Sequence, residues 1–260
     1  MIKTTTSNRT LHMSHIAGAA LLLGACSSND ASTTANQEDY EQIAQSLSGN
    51  ASVWAEPVTF SVLSDLAIGL LPDGLSLDTS SRFSGNHGGM TYDGAITCVD
   101  LGSQVLAPCG PATSMANVTG TWTGQLQLPR LTISLTRTGT WTLSGLQTAT
   151  VMVDGTSHTD LTSRFASASD QNHKQLVLAS DAIYQAVTVD RASHLPVGGD
   201  IQYAITGERT HTTPGLDATK PFSADATLTF RADHTATLVI DGDQQFSIDL
   251  ETGDARPERD

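Results

Sequence analysis

The 260-residue sequence has few basic residues, few cysteines and no long hydrophobic run. Only 13 lysine and arginine residues stand against 27 aspartate and glutamate residues, so the formal net charge is −14. Such an excess of negative charge argues against a nucleic-acid partner and against electrostatic attachment to anionic lipid. The clearest apolar run, residues 16–25, is shorter than the roughly 20 residues that a membrane-spanning helix needs. We interpret the acidic excess as a solubility feature and not as an acidic binding device.

The motifs of common catalytic and cofactor sites are also missing. The sequence contains no GxSxG nucleophile elbow, no SxxK, no HExxH, and no phosphate loop or dinucleotide fingerprint. Serine, histidine and aspartate could still meet in space, but no short motif points to such a group. We therefore expect no enzyme activity, no cofactor and no metal, and we interpret the histidines as surface residues of strands and turns.

The first 25 residues have the features of a secretory leader. Lys3 and Arg9 supply positive charge, the apolar run follows, and the run ends in Leu-Gly-Ala-Cys at residues 23–26. This ending resembles the lipobox of bacterial lipoproteins. The resemblance implies cleavage before Cys26 and acyl chains on Cys26 that anchor the protein in a membrane. The alternative is an ordinary signal peptide with an incidental cysteine.

The residue after Cys26 bears on location. In enteric bacteria an aspartate at this position favours the inner membrane, so Ser27 suggests the outer membrane by analogy. Loss of Lys3 and Arg9 with the leader would leave eleven basic residues against 27 acidic ones, a net charge of about −16. We expect a lipid-anchored protein of the bacterial cell envelope.

Cys98 and Cys109 remain once Cys26 is assigned to lipidation. Because exported compartments are oxidising, we predict that these two cysteines form a disulfide. Closing so short a loop stabilises a fold by about 3 kcal/mol in the chain-entropy model. A metal site is the rival interpretation, but the spacing is not CxxC and no histidine lies nearby.

The segment after the anchor divides into three parts. Residues 26–36 are small and polar, as in a flexible tether. A helix is predicted over 37–48, capped by Asn36. Residues 57–71 allow helix or strand, and helix is favoured, so 37–72 is expected to be a helical segment that packs on the domain. The apolar stripe of the first helix consists of Tyr40, Ile43, Ala44 and Leu47.

Residues 73–253 have the texture of an antiparallel β domain. Threonine and serine alternate with apolar residues, and turn signals recur about every ten positions. This spacing predicts short strands in an antiparallel β-sandwich or a barrel-like two-layer β domain. The polar residues 254–260 are expected to form a disordered tail.

The β domain contains an internal repeat. Residues 140–155 align without a gap on residues 227–242, and the repeat extends over 140–163 and 227–251. Each copy is predicted to be a three-stranded meander in which Asp-Gly makes a hairpin turn. Two facing meanders would bury both apolar faces, although the periodicity also allows both copies in one rolled sheet. Calcium binding at 241–243 is disfavoured, since the first copy has Thr156 where the second has Asp243.

Three hypotheses for the function of the protein remain. The first is a membrane-tethered β domain with a binding or structural role, with an envelope protein as its possible partner. The second is a carrier for an apolar ligand, such as a lipid, enclosed between β layers. The third is an envelope hydrolase. Candidate regions are the glycine-rich stretch Arg82–Gly94, which also contains His87 and Tyr92, and the places where the repeat copies differ, 156–158 and 243–245.

Overall fold

The computed structural model describes residues 35–48, 56–128, 130–166, 173–213 and 216–258. The leader, Cys26 and residues 26–34 of the expected tether lie outside the described residues. Two helices precede the sheet, α1 (Gln37–Ser48) and α2 (Glu56–Ala67). The helix predicted over 37–48 is confirmed, and the favoured helical interpretation of 57–71 holds as far as Ala67. Neither described helix is long and apolar enough to cross a membrane.

Helix α1 begins with a reciprocal capping box. Asn36 Oδ1 accepts a hydrogen bond from the Asp39 N–H at 3.1 Å, and the Asp39 carboxylate accepts one from the Asn36 N–H at 2.9 Å. The first N–H groups of a helix have no acceptor within the helix, and a capping box supplies acceptors at this end of the chain. Ala35 is already buried. The tether predicted over 26–36 therefore ends before Ala35.

The described residues after α2 form thirteen strands in one continuous antiparallel sheet. Strands that follow one another in the chain are neighbours in the sheet. The exception is β4, which pairs only with β3, so that β3 pairs directly with β5. The mainly antiparallel β fold is thus confirmed. The path runs from β1 to β13 without joining them, so the sheet does not close into a barrel. The strands are β1 Leu75–Leu77, β2 Arg82–His87, β3 Met90–Val99, β4 Val105–Leu106, β5 Met115–Leu128, β6 Leu131–Ser144, β7 Thr150–Ala166, β8 His173–Asp190, β9 Pro196–Thr213, β10 Leu216–Phe230, β11 Thr235–Ile240, β12 Gln244–Asp249 and β13 Ala255–Pro257.

The C-terminal residues are partly ordered, contrary to the expectation of a disordered tail over 254–260. Ala255–Pro257 form β13 and pair with Phe246, Ser247 and Ile248 of β12. The Glu258 N–H also donates to the Gln245 carbonyl at 2.9 Å. The prediction from polar composition is therefore wrong for residues 255–257, which form a short edge strand held by backbone hydrogen bonds.

Strands β5 to β10 are 14 to 18 residues long, whereas the sequence predicted short strands. Several glycines that resemble turn signals lie inside β3, β5 and β6. Gly94, Gly120 and Gly139 are cross-strand neighbours in one row, which continues to Ser157 and Ala182. A Cβ atom at any of the three glycines would collide with an aromatic ring of Phe83, Trp122 or Trp141. Only residues with small side chains fit in this row, because aromatic rings lie over it.

The two copies of the repeat have different structures beyond their first hairpin. In the second copy, Asp241–Asp243 make the turn between β11 and β12, as predicted. In the first copy, Asp154 and Gly155 lie inside β7, where the pairing with β8 shifts register at a bulge. The prediction of a hairpin and a third strand in the first copy is therefore wrong. Both copies belong to one rolled sheet, the arrangement that the periodicity left open.

The bulge is stabilised on two strands at once. The Asp154 carboxylate accepts a hydrogen bond at 2.8 Å from the N–H of Ala186, which has a φ of 47° and lies at an irregularity of β8. A Cβ at Gly155 would collide with the carbonyl oxygen of Thr140. Here Asp154 supplies a carboxylate and Gly155 allows the neighbouring backbone to approach closely, so β7 continues through the bulge.

The core lies on one face of the sheet, which rolls around α2. Phe60 of α2 packs edge-on against Tyr184 of β8 at 6.0 Å and against Phe230 of β10 at 6.4 Å. An aromatic series continues from Tyr184 through Trp141 and Trp122. We call this side of the sheet the core face and the opposite side the outer face.

The disulfide predicted between Cys98 and Cys109 is confirmed, with an S–S distance of 2.01 Å. Both cysteines are buried. The backbone after α2 is close to this bridge, because a Cβ at Gly69 would clash with the Cys109 carbonyl oxygen. The bridge therefore ties the end of β3 to the loop that passes α2.

Candidate functional site

The glycine-rich stretch Arg82–Gly94 is a hairpin, with β2 and β3 joined by Gly88 and Gly89. Its polar groups bind their own surroundings. His87 Nδ1 is 2.9 Å from the Asp73 carbonyl oxygen, and the Thr91 hydroxyl donates to Asn86 Oδ1 at 2.7 Å. The stretch is thus a tight hairpin with a two-residue Gly88-Gly89 loop, and its second strand continues to Cys98.

The two regions where the repeat copies differ meet at one groove. This outer groove, with a volume of about 680 Å³, lies mainly on the outer face of β8 to β10. His158 borders it from the first region and Asp243 from the second. Small side chains form its floor, and acidic ones rim it. The lining includes Tyr40, Ala179, Asp181, Ala204, Thr206, Ser223, Asp225 and Asp241.

His158 is held between two carboxylates in the outer groove. Its Nδ1 is 2.7 Å from Asp181 Oδ1, and its Nε2 is 3.4 Å from Asp160 Oδ1. The hydrogen bond to Asp181 raises the pKa of His158 above its ordinary value, and the charge of Asp160 adds to the effect. Among the described residues no serine hydroxyl is hydrogen-bonded to His158. The arrangement favours the protonated form of the His158 imidazole.

The Asp-Gly turn of the second copy is engaged within the fold. Asp241 Oδ2 accepts a hydrogen bond from the Tyr40 hydroxyl at 3.0 Å, and Asp241 Oδ1 accepts one from the Asp225 N–H at 2.9 Å. Burial, followed by the hydrogen bond to Asp241, raises the pKa of Tyr40 to about 12. No set of three or more histidine, cysteine, aspartate or glutamate side chains within the described ranges could hold a metal ion. Asp241 thus attaches α1 to the sheet.

A second candidate surface lies on the core face, where β5 to β10 continue beyond the packed core toward the β5–β6, β7–β8 and β9–β10 turns. Side chains on one face recur at every second residue of a strand. The pairing therefore places Leu128, Leu131 and Phe165 side by side, followed by Lys174 and His211. The adjacent row contains Leu126, Ile133, Ser163, Leu176, Arg209 and Lys220. We call these two rows the distal face.

The apolar members of the distal face are not fully covered. Leu128 is 43% exposed. Leu126, Leu131, Ile133, Phe165 and Leu176 are half-buried, in contrast to Trp141 and Leu143 on the same face of β6, which are completely buried. The apolar face of the sheet therefore extends past the region that α2 covers.

The basic members of the distal face contact the start of α1. Arg209 Nη1 lies 2.6 Å from Glu38 Oε2 and 3.2 Å from the buried Asp39 Oδ1, and Lys174 Nζ lies 3.8 Å from Glu38 Oε1. Burial, assisted by the charge of Lys174, lowers the pKa of His211. These ion pairs hold the start of α1 at the basic side of the distal face.

Deeper in the core face, separated from the distal rows by the row of Gly124 and Leu135, a buried arginine joins the sheet to α2. Arg137 is paired across β5 and β6 with Trp122. Its Nη1 donates to the Thr59 hydroxyl at 2.9 Å and its Nε donates to the Thr159 hydroxyl at 3.1 Å. The positive charge therefore lies within the core face, with hydroxyl oxygens as acceptors.

Sequence reasoning had not identified the distal face. Its apolar half could have been found, since Leu126, Leu128, Leu131 and Ile133 alternate without interruption through the β5–β6 turn. Its basic half could not, because Lys174, Arg209 and Lys220 are far apart in sequence and meet only through strand register. Cys26 lies outside the described residues.

Comparison with known proteins adds no relative. No protein-family model, no curated protein and no solved structure matches this chain.

Proposed function

We propose that this protein is a lipid-anchored cell-envelope lipoprotein, in the outer membrane, whose β domain binds a partly apolar ligand on the distal face. The leader and the lipobox-like residues 23–26 support the anchor. The distal face supports the binding role. The ligand would lie on an open surface of a single sheet, because the sheet does not close into a barrel in the described part of the chain.

The observation that carries the binding role is the partly accessible apolar half of the distal face. Leu126, Leu128, Leu131, Ile133 and Phe165 lie together on three neighbouring strands and remain accessible. Contiguous accessible apolar side chains on a soluble domain mark a binding surface, since burying them against a ligand gains roughly 25 cal/mol per Å². Single exposed leucines elsewhere need no such explanation.

The start of α1 contacts the distal face. Glu38 lies against Lys174 and Arg209, so the proposed ligand site includes an acidic side chain of the chain itself.

The binding role is tested with two isomeric apolar residues of similar exposure. Leu128 on the distal face is 43% exposed, and Ile183 on the outer face is 48% exposed. We expect Leu128→Ser to weaken the binding of lauryl alcohol to the purified domain several-fold in titration calorimetry, and Ile183→Ser to leave it unchanged. An equal effect of both variants, or no binding by the unaltered domain, contradicts the proposed role.

The anchor is tested separately in the full-length chain. Cys26→Ser removes the sulfur that would carry the lipid, so we expect the variant to move from the membrane fraction to the soluble fraction on cell fractionation. Persistent membrane association of the Cys26→Ser protein would be incompatible with a lipid anchor at this residue.

A further inference from the structure

The two faces of the distal strands differ in charge. All ionisable side chains that β6 to β10 place on the core face between the aromatic core and the distal turns are basic, namely Arg137, Lys174, Arg209, His211 and Lys220. The outer face of the same strands is mixed, since it carries the acidic Asp160 and Glu208 as well as the basic Arg164. The all-basic core face occurs in a chain whose net charge is −14. The basic surface therefore is a local feature of one face.

The distal face is also divided across its width. In both rows the side chains of β5 to β7 are apolar apart from Ser163, and those of β8 to β10 include Lys174, His211, Arg209 and Lys220. Phe165 is the direct cross-strand neighbour of Lys174. Since adjacent strands lie about 4.8 Å apart, an apolar strip of three strands adjoins a basic strip of three strands. Such a surface matches a molecule with an apolar chain and an acidic head.

The basic strip already holds carboxylates from the chain itself. Glu38 lies 2.6 Å from Arg209 and 3.8 Å from Lys174, and the Glu38 side chain is 43% exposed. Asp39, by contrast, is completely buried and is fixed by its capping hydrogen bond. No ion pair to Lys220 is formed among residues that the structure describes. Glu38 is thus a replaceable partner, and Lys220 has capacity for another.

We propose that the distal face binds a single acidic amphiphile, a long-chain carboxylate, whose chain lies on the apolar strip and whose head group replaces Glu38 at Arg209 and Lys174. This inference rests on the proposed binding role and names its ligand class. Exchange of one carboxylate for another keeps the charge of Arg209 and Lys174 compensated, so no buried cation is left unpaired. Lys220 supplies the additional charge that favours the ligand over Glu38.

The test compares lauric acid with lauryl alcohol, which have the same chain and differ in the head group. Titration of each into the purified domain, below the micelle concentration, measures the two affinities. We expect the acid to bind at least about tenfold more tightly than the alcohol, because charge-assisted contacts form only with the acid.

Charge variants identify the residues responsible. Lys220→Gln and Lys174→Gln should each reduce the ratio of acid affinity to alcohol affinity several-fold. Arg231→Gln is the matched control, since Arg231 is an exposed residue of the β10–β11 turn, at the other end of β10. Arg209 is buried and paired with α1, so its substitution is avoided.

Glu38→Gln tests the replacement step. If Glu38 competes with the ligand head group, its neutralisation should tighten lauric acid binding several-fold without changing lauryl alcohol binding. Glu41→Gln, one helical turn further along α1, is the control.

The outcomes separate the two proposals. Equal affinities for acid and alcohol overturn the acidic-ligand inference and leave the apolar binding role intact. Failure of both molecules to bind overturns the binding role itself. Binding to vesicles of anionic phospholipid without binding to monomeric lauric acid also overturns the inference, and assigns the distal face to a membrane surface.

Discussion

At the scale of single residues, the repeat copies differ at a histidine whose pKa is raised by its neighbours. His158 has both ring nitrogens directed at carboxylates of Asp181 and Asp160. Hydrogen bonding to Asp181 is the largest cause of its raised pKa. A histidine whose pKa is higher in the folded state stabilises that state when protonated. This contribution is present below the unfolded-state pKa and is lost as the pH rises through the folded-state pKa.

The role of Asp181 can be measured by substitution. Asp181→Asn should lower the pKa of His158, followed by NMR titration of the imidazole resonances, and should remove the part of the stability that declines with rising pH. Because His158 is half exposed, solvent screening keeps the effect on unfolding free energy small. Asp243→Asn, in the same groove without contact to His158, is the control, and a lower His158 pKa in that variant would contradict the assignment to Asp181.

Individual residues could be predicted from sequence when their partners are close in the chain. Asn36 caps α1 through Asp39, three residues away, and Cys98 pairs with Cys109, eleven residues away. Arg209 could not be assigned a partner, since Glu38 approaches it from the start of the chain. Local chemistry defines the cap and the bridge, whereas the distal face depends on the register of six strands.

At the scale of secondary structure, α1 has a stabilising cap and a face on which it packs. Ile43 and Ala44 are completely buried, and Tyr40 bonds to Asp241. Helix α2 could not be distinguished from a strand by sequence because its apolar residues, including Phe60 and Leu63, are numerous and close together. Burial of α2 inside the rolled sheet explains that composition, since a helix surrounded by apolar neighbours needs no polar face.

The cap of α1 provides a prediction at this scale. Asn36→Ala should lower the unfolding free energy by about 1 kcal/mol, because the Asp39 N–H loses its side-chain acceptor. Asn36→Ser keeps an acceptor and should preserve most of the stability. Chemical denaturation monitored by circular dichroism measures both variants. Equal stability of Asn36→Ala and the unaltered protein would show that the cap does not contribute to α1 docking.

The two Asp-Gly sequences show that similar local sequences can adopt different local structures. Asp241-Gly242 turns the chain, and Asp154-Gly155 continues a strand through a bulge. Both conformations suit glycine, so the dipeptide alone does not choose between them. The neighbouring strand decides, because Ala186 of β8 donates its N–H to Asp154 and extends the ladder. In the second copy the sheet ends at β13 within the described residues, so no further strand is available for a comparable extension of the ladder.

At the scale of the whole molecule, the open sheet has two edges, and both are short strands. β1 has three residues and β13 has three. Short edge strands and proline limit pairing with another chain, and β13 contains Pro257. The strand behind it is different. β12 carries the buried Phe246 and Ile248, and its backbone would be open to pairing if β13 were absent.

Removal of residues 254–260 therefore tests whether β13 protects the sheet. The Phe246–Ile248 segment would lose its pairing with Ala255–Pro257, and its free N–H and C=O groups would be available to a second copy of β12. We expect concentration-dependent association in size-exclusion chromatography with light scattering, and a lower unfolding free energy. Arg256→Gln changes one exposed side chain of β13 and retains its backbone, so that variant should stay monodisperse wherever the full-length protein does. If the truncated protein behaved like Arg256→Gln at every concentration, the edge of β12 would have to be blocked by something other than β13. Helix α1, which contacts both β12 and β13, would then be the element to remove next.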